Sequence, residues 1–557
     1  MIKEKLREWA NRFVSFFRIW YASIVITSLE VSQMGTYVNP GNSGFSGIRN
    51  GIYIDKSGLI GLINQTIETS QRLTCISRPR RFGKSFAAQM LCAYYDKSCN
   101  SSLLFDDLSI AKVPSYLTHL NKYDVIYLNM TDMIGETTAE DIVGFIQRSI
   151  IHELKEAYSA LNIVEGFGAT LVNAVEAIGN KFIMIIDEWD APIRETPQIG
   201  YEYLKFLRSL FKSSGTTAKI FAAVYMTGIL PIKKDGSQSA ISDFIEYTML
   251  KPGPFARYVG FTECEVQSLC SEKNTDFTEM KMWYDGYTLR DVGSIYNPNS
   301  VIKSILYRDF DSYWTETSAA NSLMNYISRD INGLRQTIAQ LIGGTAVPVE
   351  TKGFLNDLIT FSNRDDVLTL LIHLGYLAYD ETTREARIPN EEVRLEFVRT
   401  IRTDRSPDTI KRIQESDQLI WDTIHMNAKA VAAQIQKVHM ESTNPRNADN
   451  ENSLRTVIQL AYFSYKDYYL KMEELASGYG FADIVYLPKQ GASVPALIVE
   501  LKWNHSTNTA IDQIKNRQYP AVIQDYGGEI LLVGINYDKN APAGQRAYTC
   551  KIEKWQL

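Results

Sequence analysis

The sequence predicts an α/β protein: a parallel-sheet domain first, a mainly helical middle, and a smaller α/β domain at the C-terminal end. Three observations carry this expectation. Short apolar runs alternate with helical stretches between residues 50 and 250. After the Lys-Pro-Gly-Pro turn at 251–254 the texture becomes helical. Near the C-terminus, two apolar strands are followed by one helix.

The elements follow in order. Residues 73–77 (LTCIS) form a short strand, then a Gly/Arg loop, then a helix over 84–95. Residues 124–130 (DVIYLNM), 182–187 (FIMIID) and 219–226 (KIFAAVYM) read as further buried strands, since they are nearly continuous apolar runs. Helical periodicity separates them, as over 139–154, and this repetition argues for a parallel sheet. Thr262 followed by Glu265 is a capping-box start, and residues 262–440 are expected to be mostly helical. The polar, breaker-rich stretch 442–453 reads as a linker. Beyond it, 481–487 and 496–501 are strands and 509–517 is a helix. The expected divisions are an extension at 1–33, domains at 34–255, 256–441 and 454–557, and the linker between the last two.

Composition excludes several classes. With 45% hydrophobic and 11% aromatic residues, the chain can bury several cores, which rules out global disorder. Its 58 Lys+Arg against 64 Asp+Glu give a net charge of −6, which excludes a uniformly basic nucleic-acid coat but not a local basic groove. Six scattered cysteines, with no CxxC pair, read as reduced thiols in a cytoplasmic protein. The uncharged run at 19–29 is about half the roughly 20 residues that span a bilayer, so no membrane association is expected. That segment is read as a loose amphipathic helix, with a signal peptide or anchor as one alternative and a true start at Met34 as another.

The first chemical motif is the loop 78–85 (RPRRFGKS), set between strand and helix as a phosphate-binding loop requires. Arg81, Phe82, Gly83, Lys84 and Ser85 are its candidate nucleotide contacts. Gly83 lets the backbone approach an anion, Lys84 can neutralise the β/γ-phosphates, and Ser85 can offer its hydroxyl to Mg²⁺. The first Gly of the usual pattern is replaced by Arg78. Downstream, the strand of 182–187 ends in Asp187-Glu188. Asp187 is placed to hold the Mg²⁺ hydration shell, and Glu188 to polarise a water against the γ-phosphate. The next strand ends at Thr227, a polar residue placed to see that phosphate. ATP and Mg²⁺ are the implied ligands.

The second motif is Asp483 on one strand, with Glu500 and Lys502 seventeen and nineteen positions later on the next. Period-two geometry puts Glu500 and Lys502 on one face, and a hairpin can bring Asp483 beside Glu500. Converging carboxylates form a hard-oxygen Mg²⁺ site, and Lys502 can orient water or stabilise charge on a phosphorane. The competing reading is a buried ion network, because apolar Leu497, Ile498, Val499 and Leu501 bracket the charges.

With YIDK at 53–56, RPRRFGKS, IIDEWDAPI at 185–193, TGILPI from Thr227 and WYDGY at 283–287, the chain resembles the AAA-ATPase-like bacterial proteins. These typically carry a C-terminal PD-(D/E)XK nuclease-like domain. The resemblance covers residues 34 to the end, and the Arg-for-Gly change belongs to that family's own loop pattern. It implies a P-loop NTPase domain, a helical region and a restriction-endonuclease-like domain. Asp483, Glu500 and Lys502 fall on the nuclease motif, and Gln513 and Tyr519 match a QxxxxxY element. Glu474 matches the helical acidic residue that precedes the first strand, as a further metal ligand. Tyr479 departs from the Gly-Lys-Gly turn of relatives. The implied function is an ATP-hydrolysing switch coupled to a Mg²⁺-dependent nuclease, with DNA as the expected nucleic acid and self-assembly as an expected state. The alternative is an ATP-controlled binding module that does not cut.

Overall fold

The computed structural model describes residues 35–555, apart from 315–330, 443–453, 517–527, 542–546 and shorter interruptions. The N-terminal extension, Tyr479, Tyr519 and all of the expected linker except Ser442 therefore lie outside the described residues, while Ser442 ends a helix. Among the described residues, no helix is long and apolar enough to cross a membrane. The chain divides into two compact units, the first running to Asp311 and taking in residues 351–362 and 368–379 as well.

The first unit is built on five parallel strands: β1 (Leu73–Ser77), β2 (Asp124–Asn129), β3 (Phe182–Asp187), β4 (Phe221–Gly228) and β5 (Ile245–Tyr247). Their spatial order is β2-β3-β4-β1-β5. Helices on the two faces explain why β1, β3 and β4 are apolar throughout: every residue in them is buried. Ile183, Met184, Ile185 and Ile186 are each at most 1% exposed, a gain of roughly 1.5–3 kcal/mol apiece. That is enough to carry a buried carboxylate at the end of the same strand. One face, including Leu128, Met184, Ile186 and Met226, forms a core with Ile146 and Ile150 of a helix over Ile142–Ala157. The other lies under α1 (Lys84–Tyr95). The start of β4 differs from expectation: Lys219 and Ile220 finish a helix, Ser214–Ile220, so the strand begins two residues later. Strand β5 is only three half-buried residues, too short to carry a periodic signal.

Within the region expected to be mostly helical, Thr262 and Glu265 form the capping box of a helix over Glu263–Lys273. Short strands interrupt the helices: Phe261–Thr262, Tyr287–Leu289 and Gly293–Tyr296 make one small antiparallel sheet, and Val347–Pro348 pairs with Glu385–Arg387 in another.

The second unit holds a mixed five-stranded sheet in sequential order: β6 (Tyr469–Ser477), β7 (Gly480–Pro488), β8 (Ala496–Trp503), β9 (Ile530–Tyr537) and β10 (Tyr548–Lys554). The β8–β9 pair is parallel and the other pairs are antiparallel. The helix α2 (Thr507–Asn516) follows β8 and packs on β8 and β9. Helices Pro407–Ile424 and Ala428–Ser442 contribute Leu419, Val431 and Ile435 to the core on the other face.

Candidate functional site

The phosphate loop leaves β1 and turns into α1 through backbone that few residues adopt. Gly83 has φ 90°, and a Cβ there would meet no neighbour, so the glycine serves backbone freedom and not close packing. Arg81 also has positive φ, at 67°. Phe82 is 1% exposed and packs edge-on against Tyr287, with ring centroids 5.4 Å apart. Tyr287 in turn donates from its hydroxyl to the Gly375 carbonyl at 2.5 Å. Phe82 is thus an anchor of the loop, and the WYDGY segment supplies the surface it rests on. Ser85 is exposed at the first turn of α1.

Lys84 is 4% exposed, and its ammonium donates to the Pro79 carbonyl at 2.9 Å. A Glu188 oxygen lies 3.7 Å away. Burial lowers the Lys84 pKa, and Glu188 and Asp187 act against that fall. Asp187 is fully buried at the end of β3, and neither of its carboxylate oxygens has a hydrogen bond of ordinary geometry. Burial raises its pKa to about 6, with Glu188 adding to the rise and the nearby Ser85 hydroxyl and Lys84 opposing it. The Thr227 hydroxyl, at the end of β4, is also fully buried and has no hydrogen-bond partner among the described residues. Strand alternation puts Asp187 and Thr227 on the face that α1 covers. The fold therefore gathers Lys84, Asp187, Glu188 and Thr227 at the C-terminal ends of neighbouring strands, where ligands of open α/β sheets bind. Orphaned hard oxygens beside a buried ammonium fit a phosphate with its Mg²⁺.

Three neighbours were assigned no role from the sequence, where Arg78 reads only as the replaced loop glycine and Arg194 as an arginine that either touches a phosphate or is solvated or ion-paired. Arg78 is fully buried, and its guanidinium donates to the Ser77 and Tyr247 carbonyls. Burial lowers its pKa to about 10. Asp190 is 1% exposed and Arg194 bridges it to Glu188. An acid three residues past Asp187, just before Ala-Pro, was the available signal.

In the second unit, Glu500 is 1% exposed on β8. Its Oε1 accepts from Lys502 Nζ at 2.8 Å, and from Gln513 Nε2 on α2. Ile484 pairs with Val499, so Asp483 on β7 comes next to Glu500 in register. Glu473 pairs with Ile484 and Leu475 with Ala482, which puts Glu474 across from Asp483. Backbone register thus lines up Glu474, Asp483 and Glu500 on three adjacent strands. The Glu474 and Asp483 side chains lie outside the described residues. Among the described residues, no group of three or more His, Cys, Asp or Glu is placed to hold a metal. The expectation for Glu474 is corrected in one respect: it lies within strand β6, not on a helix. The segment MEELA has helix-favouring residues, but the tight hairpin pairing Ser477 with Gly480 recruits it into the sheet.

Gly534 was also missed. It pairs with Glu500 across β8 and β9, and a Cβ there would sit 2.9 Å from the Thr507 carbonyl and 3.1 Å from Ala510 Cβ. Its bareness lets α2 approach closely enough for Gln513 to reach Glu500. The lone Gly in ILLVGINY was the signal.

Similarity to known protein families is found in both units of the chain. A protein described as "Uncharacterized protein in vnfD 5'region", from Azotobacter chroococcum mcd 1, is 23% identical over 395 residues, covering 67% of this chain and 72% of that protein. The structure of the Aeropyrum pernix ORC2 protein in ADPNP–ADP complexes is 11% identical and covers 62% of this chain and 93% of that one, at a TM-score of 0.23. So low a score carries no argument. Residues 41–237 match the family described as "Predicted AAA-ATPase", and residues 449–543 match the PD-(D/E)XK nuclease superfamily, which is the domain order expected from the sequence.

Proposed function

We propose that this protein binds and hydrolyses ATP in its first unit, and that this turnover controls a Mg²⁺-dependent phosphodiesterase acting on nucleic acid, DNA first, in its second. One observation carries the ATPase half: the orphaned Asp187 carboxylate beside the buried Lys84 ammonium, at the mouth of a phosphate loop. The loop amides from Arg81 to Lys84 receive phosphate oxygens, and Lys84 exchanges the Pro79 carbonyl for the β/γ-phosphates. Ser85 and Asp187 would hold Mg²⁺, which when bound neutralises phosphate charge. Glu188 polarises the attacking water, and Thr227 hydrogen-bonds the γ-phosphate.

In the second unit, Asp483, Glu500 and Glu474 would hold the metal, Lys502 orients the nucleophilic water, and Gln513 fixes Glu500. We place the working boundaries at 34–255, 256–441 and 454–557, in a cytoplasmic protein that self-associates. The test is cleavage of single- and double-stranded DNA and RNA, with and without ATP and Mg²⁺, by the wild type and Lys502→Ala. Equal cleavage by both proteins would sink the assignment of Lys502.

One observation favours a second reading, an ATP-controlled binding module that does not cut. Glu500 is already charge-compensated by Lys502 and hydrogen-bonded to Gln513 within the protein. Calorimetric titration with Mg²⁺ and Mn²⁺ separates the two: heat abolished by Glu500→Gln supports cleavage, and a blank from the wild type supports the binding module.

A further inference from the structure

The ion network around Glu188 extends beyond the residues assigned to ATP. Arg194, on the short helix Ala191–Glu195, donates from Nε to Asp190 Oδ2 at 2.9 Å and from Nη2 to Glu188 Oε2 at 2.8 Å. Asp190 also accepts from the backbone amides of Ile229 and Leu230, the latter at 3.0 Å. Those two residues immediately follow the Thr227 end of β4. One guanidinium therefore ties Glu188 to Asp190, and Asp190 to the backbone that carries Thr227.

Glu188 needs such support. Its φ of 53° lies in the left-handed region, where a residue with a Cβ costs about 1–3 kcal/mol and persists only if its surroundings over-determine it. The Trp189 amide donates to the Thr227 carbonyl at 2.9 Å, which fixes the chain on one side of Glu188. Arg194 fixes the side chain itself. The planar fork of a guanidinium can serve two carboxylates at set angles, which an ammonium cannot do equally well. Burial works against the Arg194 charge, but Asp190 and Glu188 outweigh it and hold its pKa above the ordinary value. The Nε–Nη2 edge, which would otherwise grip a phosphate in bidentate fashion, is committed to carboxylates.

We infer that Arg194 is the positioning residue for Glu188, setting the water-polarising carboxylate against Asp187 and Thr227 without touching the nucleotide. This rests on the ATPase reading above. It separates two roles that an arginine near a phosphate loop can play, because a positioning residue changes turnover and leaves affinity alone.

The experiment uses the full-length protein and Mg²⁺-ATP, measuring phosphate release and the affinity for a fluorescent ATP analogue. The proteins are the wild type, R194M, R194K, E188Q, E188Q/R194M and E188Q/R194K. The expected result is a fall in kcat of about 10–100-fold for R194M, with the dissociation constant held within about twofold, and partial recovery in R194K. In the E188Q background, either Arg194 substitution should change single-turnover release by less than about twofold, because its effect runs through Glu188. Weaker ATP binding by R194M, by about tenfold, would overturn the inference in favour of a phosphate contact. A further loss of rate in the E188Q background would overturn it in favour of a general structural role. Circular dichroism checks the fold of each variant; if R194M fails to fold, R194K and E188Q/R194K carry the same cycle with the charge beside Asp190 kept. A wild type with no phosphate release removes the ATPase reading and this inference together. Wild-type turnover that R194M and R194K leave unchanged removes this inference alone.

Discussion

At the end of β3, Asp187 is fully buried and neither oxygen has a hydrogen bond of ordinary geometry among the described residues, whereas Glu500, as deeply buried on β8, receives both Lys502 and Gln513. Both are buried carboxylates on apolar strands, Asp187 at the end of β3 and Glu500 within β8, yet their charges are handled differently. Asp187 bears a desolvation cost that the first unit offsets only in part, and its pKa rises to about 6. Glu500 is met inside the protein by a cation and an amide. The first site is therefore electrostatically suited to a cationic guest beside Asp187, while the second can keep its geometry through its own side chains.

The largest expected effect on this contrast comes from Lys84→Ala. It removes the ammonium proposed to meet the phosphates, and ATP turnover should fall about 100-fold or more in a phosphate-release assay. A smaller loss would mean that Lys84 is only a loop strut bonded to Pro79.

Next comes Asp187→Asn in metal-free buffer. The folded pKa of Asp187, about 6, lies above the unfolded value of about 3.9, so its stability contribution is full below pH 4 and is lost as pH rises through 6. The asparagine does not titrate. Relative to wild type, the variant should gain up to about 3 kcal/mol between pH 4 and pH 7, read by urea unfolding. A pH-independent difference would show that the Asp187 charge is compensated as fully as that of Glu500.

Gly534→Ala sharpens the other side of the comparison. The new methyl meets the Thr507 carbonyl at 2.9 Å and Ile511 Cγ1 at 3.1 Å. Overpacking of this kind costs about 1–3 kcal/mol and pushes α2, with Gln513, away from Glu500. An unchanged urea midpoint would mean that the helix sits there without needing the glycine. The smallest effect is Tyr287→Phe, which deletes the hydroxyl bonded to Gly375 while keeping the ring against Phe82. A loss of about 1–2 kcal/mol is expected in thermal unfolding. A large drop in ATP affinity instead would tie that hydrogen bond to loop geometry.

How far these sites were legible depends on how local their signals are. Strands 73–77 and 182–187 and the helix over 84–95 have the boundaries that the apolar runs and the Gly-Lys-Ser turn indicate. The helical placement of Glu474 came from the family resemblance alone, and pairing with β7 holds that residue in a strand instead. Asp190 carries no role in the linear reading, and Arg194 reads there as a phosphate contact or as a solvated or ion-paired arginine. Their significance depends on the Ile229 and Leu230 amides, some forty positions away in sequence, which only closure of β4 beside β3 brings near. Gly534 was a lone glycine in an apolar run until the approach of α2 gave it a reason.

The residue pattern by itself determined the strand–helix alternation, the phosphate loop with its Asp-Glu strand, and Glu500 and Lys502 on one strand. Backbone preference and side-chain period act over a few residues, so a linear reading captures them. Only the tertiary structure decided which carboxylate is left without a partner, which is tied to an arginine, and which is met by a lysine and a glutamine. Desolvation and ion pairing depend on distances across strands and helices remote in the chain, and no local pattern encodes those distances.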